Sequence, residues 1–196
     1  MLKYIKCLTA ALACTVLFGC AHPITMTPDL AKIQATGVTP VAKTVGYHIS
    51  DANRGLAVTT DGGGGDKIRY FPYKDIEAGL YKALSEVFSS VSKINDPRNV
   101  DELRESGISI LVAPEIRTTS SSPSLLTWPP TKFSVTLTCS IVGIDGRLIQ
   151  NLSVTGEGAA EFDDFKNKFS LAAVRASNDA LTKLIIALGD SAELRK

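Results

Sequence analysis

Histidine is scarce in this 196-residue chain: His22 and His48 are the only two. Most metal and acid–base schemes lean on more, because imidazole changes charge near neutral pH and is the commonest metal ligand. A charge excess is missing as well. Twenty-one Lys and Arg stand against 20 Asp and Glu, a formal net charge of +1, which gives no electrostatic footprint for nucleic acid. Usable cysteine is almost absent. Of four cysteines, Cys7, Cys14 and Cys20 belong to the N-terminal apolar run and its end, and Cys139 stands alone. If the N-terminal run is removed and Cys20 is otherwise engaged, only Cys139 remains and no intrachain disulfide framework is expected. Cys139 falls in an alternating strand pattern, where cysteine acts as a small hydrophobe. Enzyme motifs are missing too. Ser120, Ser121 and Ser122 sit in no G-x-S-x-G elbow, and the tract Gly62 to Gly65 lacks the Lys-Ser/Thr ending of a phosphate loop. Glu157, Glu161, Asp163 and Asp164 cluster without EF-hand spacing and read as helix-dipole complement on a solvated face. His48, within a strand pattern, reads as a packed or surface histidine. No catalytic residue, cofactor site or metal site is expected.

What is present begins with an address. Residues 1–20 read MLKYIKCLTAALACTVLFGC. Lys3 and Lys6 make a basic start, the stretch 7–18 is apolar apart from Thr9 and Thr15, and small residues follow. Such a stretch is too short for a permanent membrane span and has the form of a secretory signal peptide, here residues 1–19. Its end is more specific. Leu17-Phe18-Gly19-Cys20 resembles the lipobox of bacterial lipoproteins. That resemblance implies cleavage before Cys20, acylation of its thiol and of the new amino terminus, palmitate labelling, and a membrane anchor without a transmembrane helix. One acyl chain anchors marginally and two or more anchor stably, at about 0.8 kcal/mol per buried CH₂. Ala21 and His22 follow the cysteine where an Asp would favour inner-membrane retention, so the resemblance implies the outer membrane, facing the periplasm.

Residues 20–40 hold three prolines and no sustained periodicity, and read as the lipidated cysteine plus a flexible tether. A single domain is expected over 41–196. Its elements are a strand over 42–50, a hairpin with arms at 56–59 and 68–71 and a flexible glycine tip, and a helix over 72–93. That helix carries a stripe of Ile76, Leu80, Leu84, Val87 and Val91. A short helix over 99–106 and a strand over 108–117 follow. Next comes a Ser/Thr/Pro loop over 118–130. In the strand over 131–144, Phe133, Val135, Leu137, Cys139 and Ile141 alternate with Ser134, Thr136, Thr138 and Ser140. Asp145-Gly146 signals a tight hairpin, and a strand over 147–157 returns. A last helix, capped by Asp164 or Asn167, carries Leu171, Val174, Leu181, Ile185 and Leu188, is interrupted by Asn178 and stops at Gly189. The order predicts an α+β two-layer sandwich: a mostly antiparallel sheet of four to six strands with two long helices on one face, Leu137 and Leu181 in facing layers.

Two segments carry a further resemblance. Residues 106–116 (SGISILVAPEI), after a helix and an acidic linker, and residues 140–149 (SIVGIDGRLI), before a final amphipathic helix, are similar to the anticodon-binding-like α/β module of curli-secretion lipoproteins and of lipoprotein activators of penicillin-binding proteins. The likeness lies in order and spacing over about residues 42–190; transmembrane hairpins of the curli pore are missing. Lipid anchor, tether and compact domain together predict an interaction or assembly module, acting in envelope biogenesis, secretion or export by protein contact. The alternative is a periplasmic carrier for an apolar or envelope ligand held between sheet and helices. The loop offers the contact surface: Leu125, Leu126, Trp128, Pro129 and Pro130 are apolar or stiff residues where a polar connection is expected. Two readings of Trp128 stand open. It folds back to cap the sheet, or it meets a partner, another copy, or the membrane.

Overall fold

The computed structural model describes residues 21–196, together with the backbone but not the side chain of Phe165. Cys20, the expected acylation site, lies outside the described residues. The elements are β1 (His22–Pro23), β2 (Val41–Tyr47), α1 (Asp51–Arg54), β3 (Val58–Asp61), β4 (Lys67–Tyr70), α2 (Pro72–Val87), β5 (Phe88–Lys93), α3 (Val100–Glu105), β6 (Ile110–Ser121), β7 (Lys132–Gly143), β8 (Leu148–Ala159), α4 (Phe162–Phe165) and α5 (Leu171–Gly189).

The five-stranded sheet runs β5-β2-β6-β7-β8, and a second, three-stranded sheet runs β1-β4-β3. The longest pairings are antiparallel: β6 with β7 from Ile110↔Gly143 to Ser121↔Lys132, and β7 with β8. At the other side β2 lies parallel to both β5 and β6. Period-two patterning makes this work. Phe133, Val135, Leu137, Cys139 and Ile141 all point into the core, while Thr136 and Thr138 on the opposite face bond to Thr155 and Ser153 at 3.0 and 2.9 Å. The two long helices cover the apolar face: α5 lies on β7 and β8, and α2 packs against α5. The α+β class and the presence of two long helices match expectation, although α5 starts at Leu171 behind Ser170 rather than at a cap by Asp164 or Asn167, and Leu137 and Leu181 are both fully buried in the same core.

The approach of α5 to the sheet depends on glycine and alanine. A Cβ on Gly156 would lie 2.2 Å from the Ala180 nitrogen, and one on Gly158 would lie 2.0 Å from the Ala172 carbonyl oxygen. Ala172, Ala176 and Ala180, four residues apart, present the matching smooth face of α5. The helix backbone thus rests almost directly on β8, with the larger Leu181, Leu184 and Ile185 buried beside the contact.

Four expectations are corrected. The helix expected to reach residue 93 ends at Val87, and the chain continues as β5, where Val91 pairs with Val45. Phe88-Ser89-Ser90-Val91-Ser92 holds no strong helix former, so the parallel pairing with β2 outweighs the last turns of the stripe. The strand expected to stop at Arg117 continues to Ser121. Its added residues are hydroxyl-bearing and bond to the small sheet, Thr118 Oγ1 to the Tyr70 hydroxyl at 2.6 Å and Ser120 Oγ to Thr60 Oγ1 at 2.6 Å. The 56–71 hairpin belongs to that second sheet rather than to the main one.

The fourth correction matters most for function. Residues 21–40 are built into the body instead of hanging free. β1 pairs with β4, and the Ile24 N–H donates to the Arg69 carbonyl at 2.9 Å. Met26 and Ile33 are fully buried. The Met26 N–H donates to Asp75 Oδ2 at 3.0 Å. Burial is the dominant influence on that carboxyl and holds it above its usual range, with the Met26 N–H pulling the other way. Asn178, the polar break in the α5 stripe, grips the same segment: its Oδ1 accepts from the Asp29 N–H and its Nδ2 donates to the Asp29 carbonyl, both at 2.9 Å. Gly79 makes room where the segment crosses α2, since a Cβ there would meet Pro28 at 2.5 Å.

Candidate functional site

The end of the sheet where β6 passes into β7 gathers the expected contact residues. Ser124 closes the loop on itself: its Oγ accepts from the Thr127 N–H at 3.1 Å and from the Thr127 hydroxyl at 2.8 Å. This turn pushes Leu125 and Leu126 outward, 88% and 95% exposed. Trp128 turns the other way. Its ring stacks on His22 with centroids 4.2 Å apart and planes 14° from parallel, and meets Phe169 at 4.9 Å. It is half-buried, and Pro129 and Pro130 behind it are buried. The loop therefore divides: Trp128, Pro129 and Pro130 fasten it, while Leu125 and Leu126 project.

The four glycines of the β3–β4 hairpin explain how the loop is held. The Gly63 N–H donates to the Trp128 carbonyl and the Gly64 N–H to the Ser124 carbonyl, both at 2.8 Å. A Cβ on Gly63 would lie 2.1 Å from the Thr127 carbonyl oxygen, and one on Gly62 2.4 Å from the Trp128 carbonyl oxygen. Only glycine lets the two backbones approach this closely. The expected flexible tip is thus docked on the loop, as a backbone clamp instead of a phosphate cradle.

Three aromatic residues missing from the sequence-based site share this surface. His22 reaches it because β1 fixes it beside β4, with Nε2 3.5 Å from Asp66 Oδ2. Phe162 on α4 and Phe169 just before α5 are 59% and 48% exposed. Leu126, Trp128, Pro129, Phe162 and Phe169 line one shallow hollow with Lys166 at its edge, and Trp128 and Phe169 line a second with Lys168. The sequence signal for it was present: three Phe and two Lys within residues 162–169. Its nearness to residues 125–128 needed the fold.

The remaining candidate groups are placed in structural roles. Burial pushes the Cys139 thiol up to about 12, so it stays protonated and unreactive. His48 Nδ1 donates to the Ile94 carbonyl at 2.9 Å. Glu161 and Asp164 form a capping box on α4, and Arg175 donates to Asp164 Oδ2 at 3.1 Å. The Glu157 N–H donates to Asp179 Oδ2 at 2.8 Å. Among the described residues no group of three or more His, Cys, Asp or Glu is arranged to hold a metal ion. Nor, among them, is any helix long and apolar enough to cross a membrane.

No family model matches the chain, and no curated protein matches it. Solved structures do. A DUF330 protein of Xanthomonas campestris is 12% identical, with 86% of this chain and 90% of that one covered, at a TM-score of 0.49. A minor lipoprotein of Acinetobacter baumannii is 12% identical, with coverage of 76% and 94% and a TM-score of 0.44. PelC of Paraburkholderia phytofirmans, a dodecamer, is 9% identical, with coverage of 79% and 92% and a TM-score of 0.47. At these values the likenesses carry no argument about function, and what this chain does rests on its own residues.

Proposed function

We propose that this chain is a lipid-anchored interaction and assembly module of the bacterial cell envelope. It is acylated on Cys20, held on the outer membrane with its body in the periplasm, and works by protein contact in envelope biogenesis, secretion or export. The observation that carries this reading is the fixing of His22. The expected acylation site is two positions upstream, and His22 is already paired in β1 and stacked on Trp128. An anchor joined so closely to a rigid body holds that body at the membrane in a limited set of poses, which suits a platform for assembly. The broad face of β6, β7 and β8 away from the helices is the surface left for a partner. It is lined by hydroxyls, with Thr119 bonded to Ser134 at 2.7 Å and Thr136 to Thr155 at 3.0 Å. The carrier alternative needs room between sheet and helices, and Val135, Leu137, Ile141, Leu181 and Leu184 fill that layer.

Acyl labelling with and without Cys20→Ser tests the anchor. Palmitate incorporation and outer-membrane density on a gradient are expected in the wild type, and both are lost in the variant. A photo-crosslinker at Thr138 is expected to trap one defined protein in cells. Labelling that survives Cys20→Ser contradicts the anchor. Trapping that survives Thr136→Lys contradicts the sheet face as the contact.

A further inference from the structure

We infer that Leu125, Leu126, Phe162 and Phe169 form a membrane-docking face that enters the surface of the same leaflet that holds the acyl chains. This rests on acylation of Cys20. Its second support is geometric. Cα atoms are spaced 3.8 Å apart along the chain, so Cys20 lies within about 7 Å of His22. His22 stacks on Trp128, and Trp128 meets Phe169. The acyl chains therefore leave the body at the Trp128–Phe169 surface, and the loop that holds Trp128 also carries the exposed Leu125 and Leu126.

A bilayer is the occupant that the geometry favours. Once the lipid is inserted, docking is an intramolecular event at high effective concentration, so a small apolar area is enough. The chemistry at the rim agrees. Lys166 and Lys168 border the two hollows, and lysine stems lie along apolar surface while their ammonium groups reach lipid phosphates. Lys166 is already 3.5 Å from Asp163, so apolar insertion, rather than charge, supplies most of the attraction. His22 and Trp128, each apolar in body and polar at one edge, suit the headgroup level. The docked glycine tip and the two prolines keep the projecting leucines ordered, which lowers the entropy lost on insertion.

Trp128 is the only tryptophan in the chain, so its emission reports on this face alone. The mature acylated protein is reconstituted in phosphatidylethanolamine–phosphatidylglycerol vesicles, either plain or brominated near the carbonyl end of the acyl chains. Bromine is expected to reduce Trp128 emission at least twofold. The double variant Leu125→Asp, Leu126→Asp is expected to stay on the vesicles through its acyl chains, with an unchanged melting temperature, and to lose that quenching. A wild type that is vesicle-bound yet unquenched overturns the docking and leaves the anchor standing. A double variant quenched like the wild type overturns it as well, as does an unquenched wild type whose sedimentation changes with the double variant, which assigns the face to a second copy. A chain that carries no acyl group and leaves the vesicles overturns the anchor, and the docking falls with it.

Discussion

The two connections in the β6–β7–β8 meander have the same topological task and use very different lengths of chain. Between β7 and β8, Asp145-Gly146 closes a tight turn, with the Gly143 N–H bonded to the Arg147 carbonyl at 2.9 Å and Gly146 at φ +80°. Between β6 and β7 the chain spends residues 122–131. It binds that stretch to a glycine tip, an N-terminal strand and Phe169, and leaves two leucines in water. A two-residue turn suffices to join antiparallel strands, so the longer connection serves something besides joining. Loops on rigid scaffolds are where contact functions concentrate, and this one stands at the end where the N-terminus enters the body.

Substitutions at the two ends should separate these roles. Gly63→Ala should have the largest effect. Its Cβ would press on the Thr127 carbonyl oxygen at 2.1 Å, so the tip must leave the loop at a cost of about 3 kcal/mol, read from urea unfolding. Trp128→Ala should cost about 2 kcal/mol, less than the 3–5 of a fully buried aromatic ring, because the ring is half-buried between His22 and Phe169. A loss of about 4 kcal/mol or more, as for a fully buried ring, would make the ring core and the loop mere capping. At the opposite end Gly146→Ala should cost about 1 kcal/mol from the left-handed backbone alone and leave membrane behaviour unchanged. An altered vesicle pose in that variant would break the contrast between the ends.

The smallest expected effect is a pH response at α4. Arg175 bonds to the Asp164 side chain and the Glu161 N–H adds to it, so Asp164 is held below its ordinary value of 3.8. A lowered folded pKa adds stability above the ordinary value, and that stability is lost as pH falls through the folded pKa. The α4 cap should therefore loosen only below about pH 3.8, seen as amide shifts of residues 161–164 without global unfolding. Loosening near neutral pH would contradict the pairing.

Much of this was legible in the sequence wherever one element carries its own signal. The alternation of β7, the Asp-Gly turn and most of the apolar stripe of each long helix depend on neighbours within a few residues, and those features appear as expected, apart from the helix boundaries. What failed depends on distant partners. Val91 fits a helix stripe until β2 provides a parallel mate. The prolines at 23, 28 and 40 suggest a tether until Asp75, Arg69 and Asn178 satisfy the backbone groups near the first two and Arg195 those at Thr39 and Pro40. Gly156 and Gly158 carry no signal of a role in the sequence, and only the alanine face of α5 laid against them supplies one. At the contact surface, Leu125, Leu126 and Trp128 stood out as apolar residues in a polar loop. His22, Phe162 and Phe169 could join them only after folding brought three separate segments to one end.

From His22 on, the chain belongs to the folded body, and the proposed lipid on Cys20 would hold the domain directly against the membrane. Native-state hydrogen exchange of the amides of Ile24, Met26 and Asp29 tests it most directly. Each is bonded to a distant element, to Arg69, Asp75 and Asn178 respectively. All three should exchange about a hundredfold or more slowly than free peptide, in step with neighbouring amides of β4 and α2. Exchange at free-peptide rates while β7 stays protected would make the segment a leash after all, and would remove both the fixed anchor point and the docked face inferred from it.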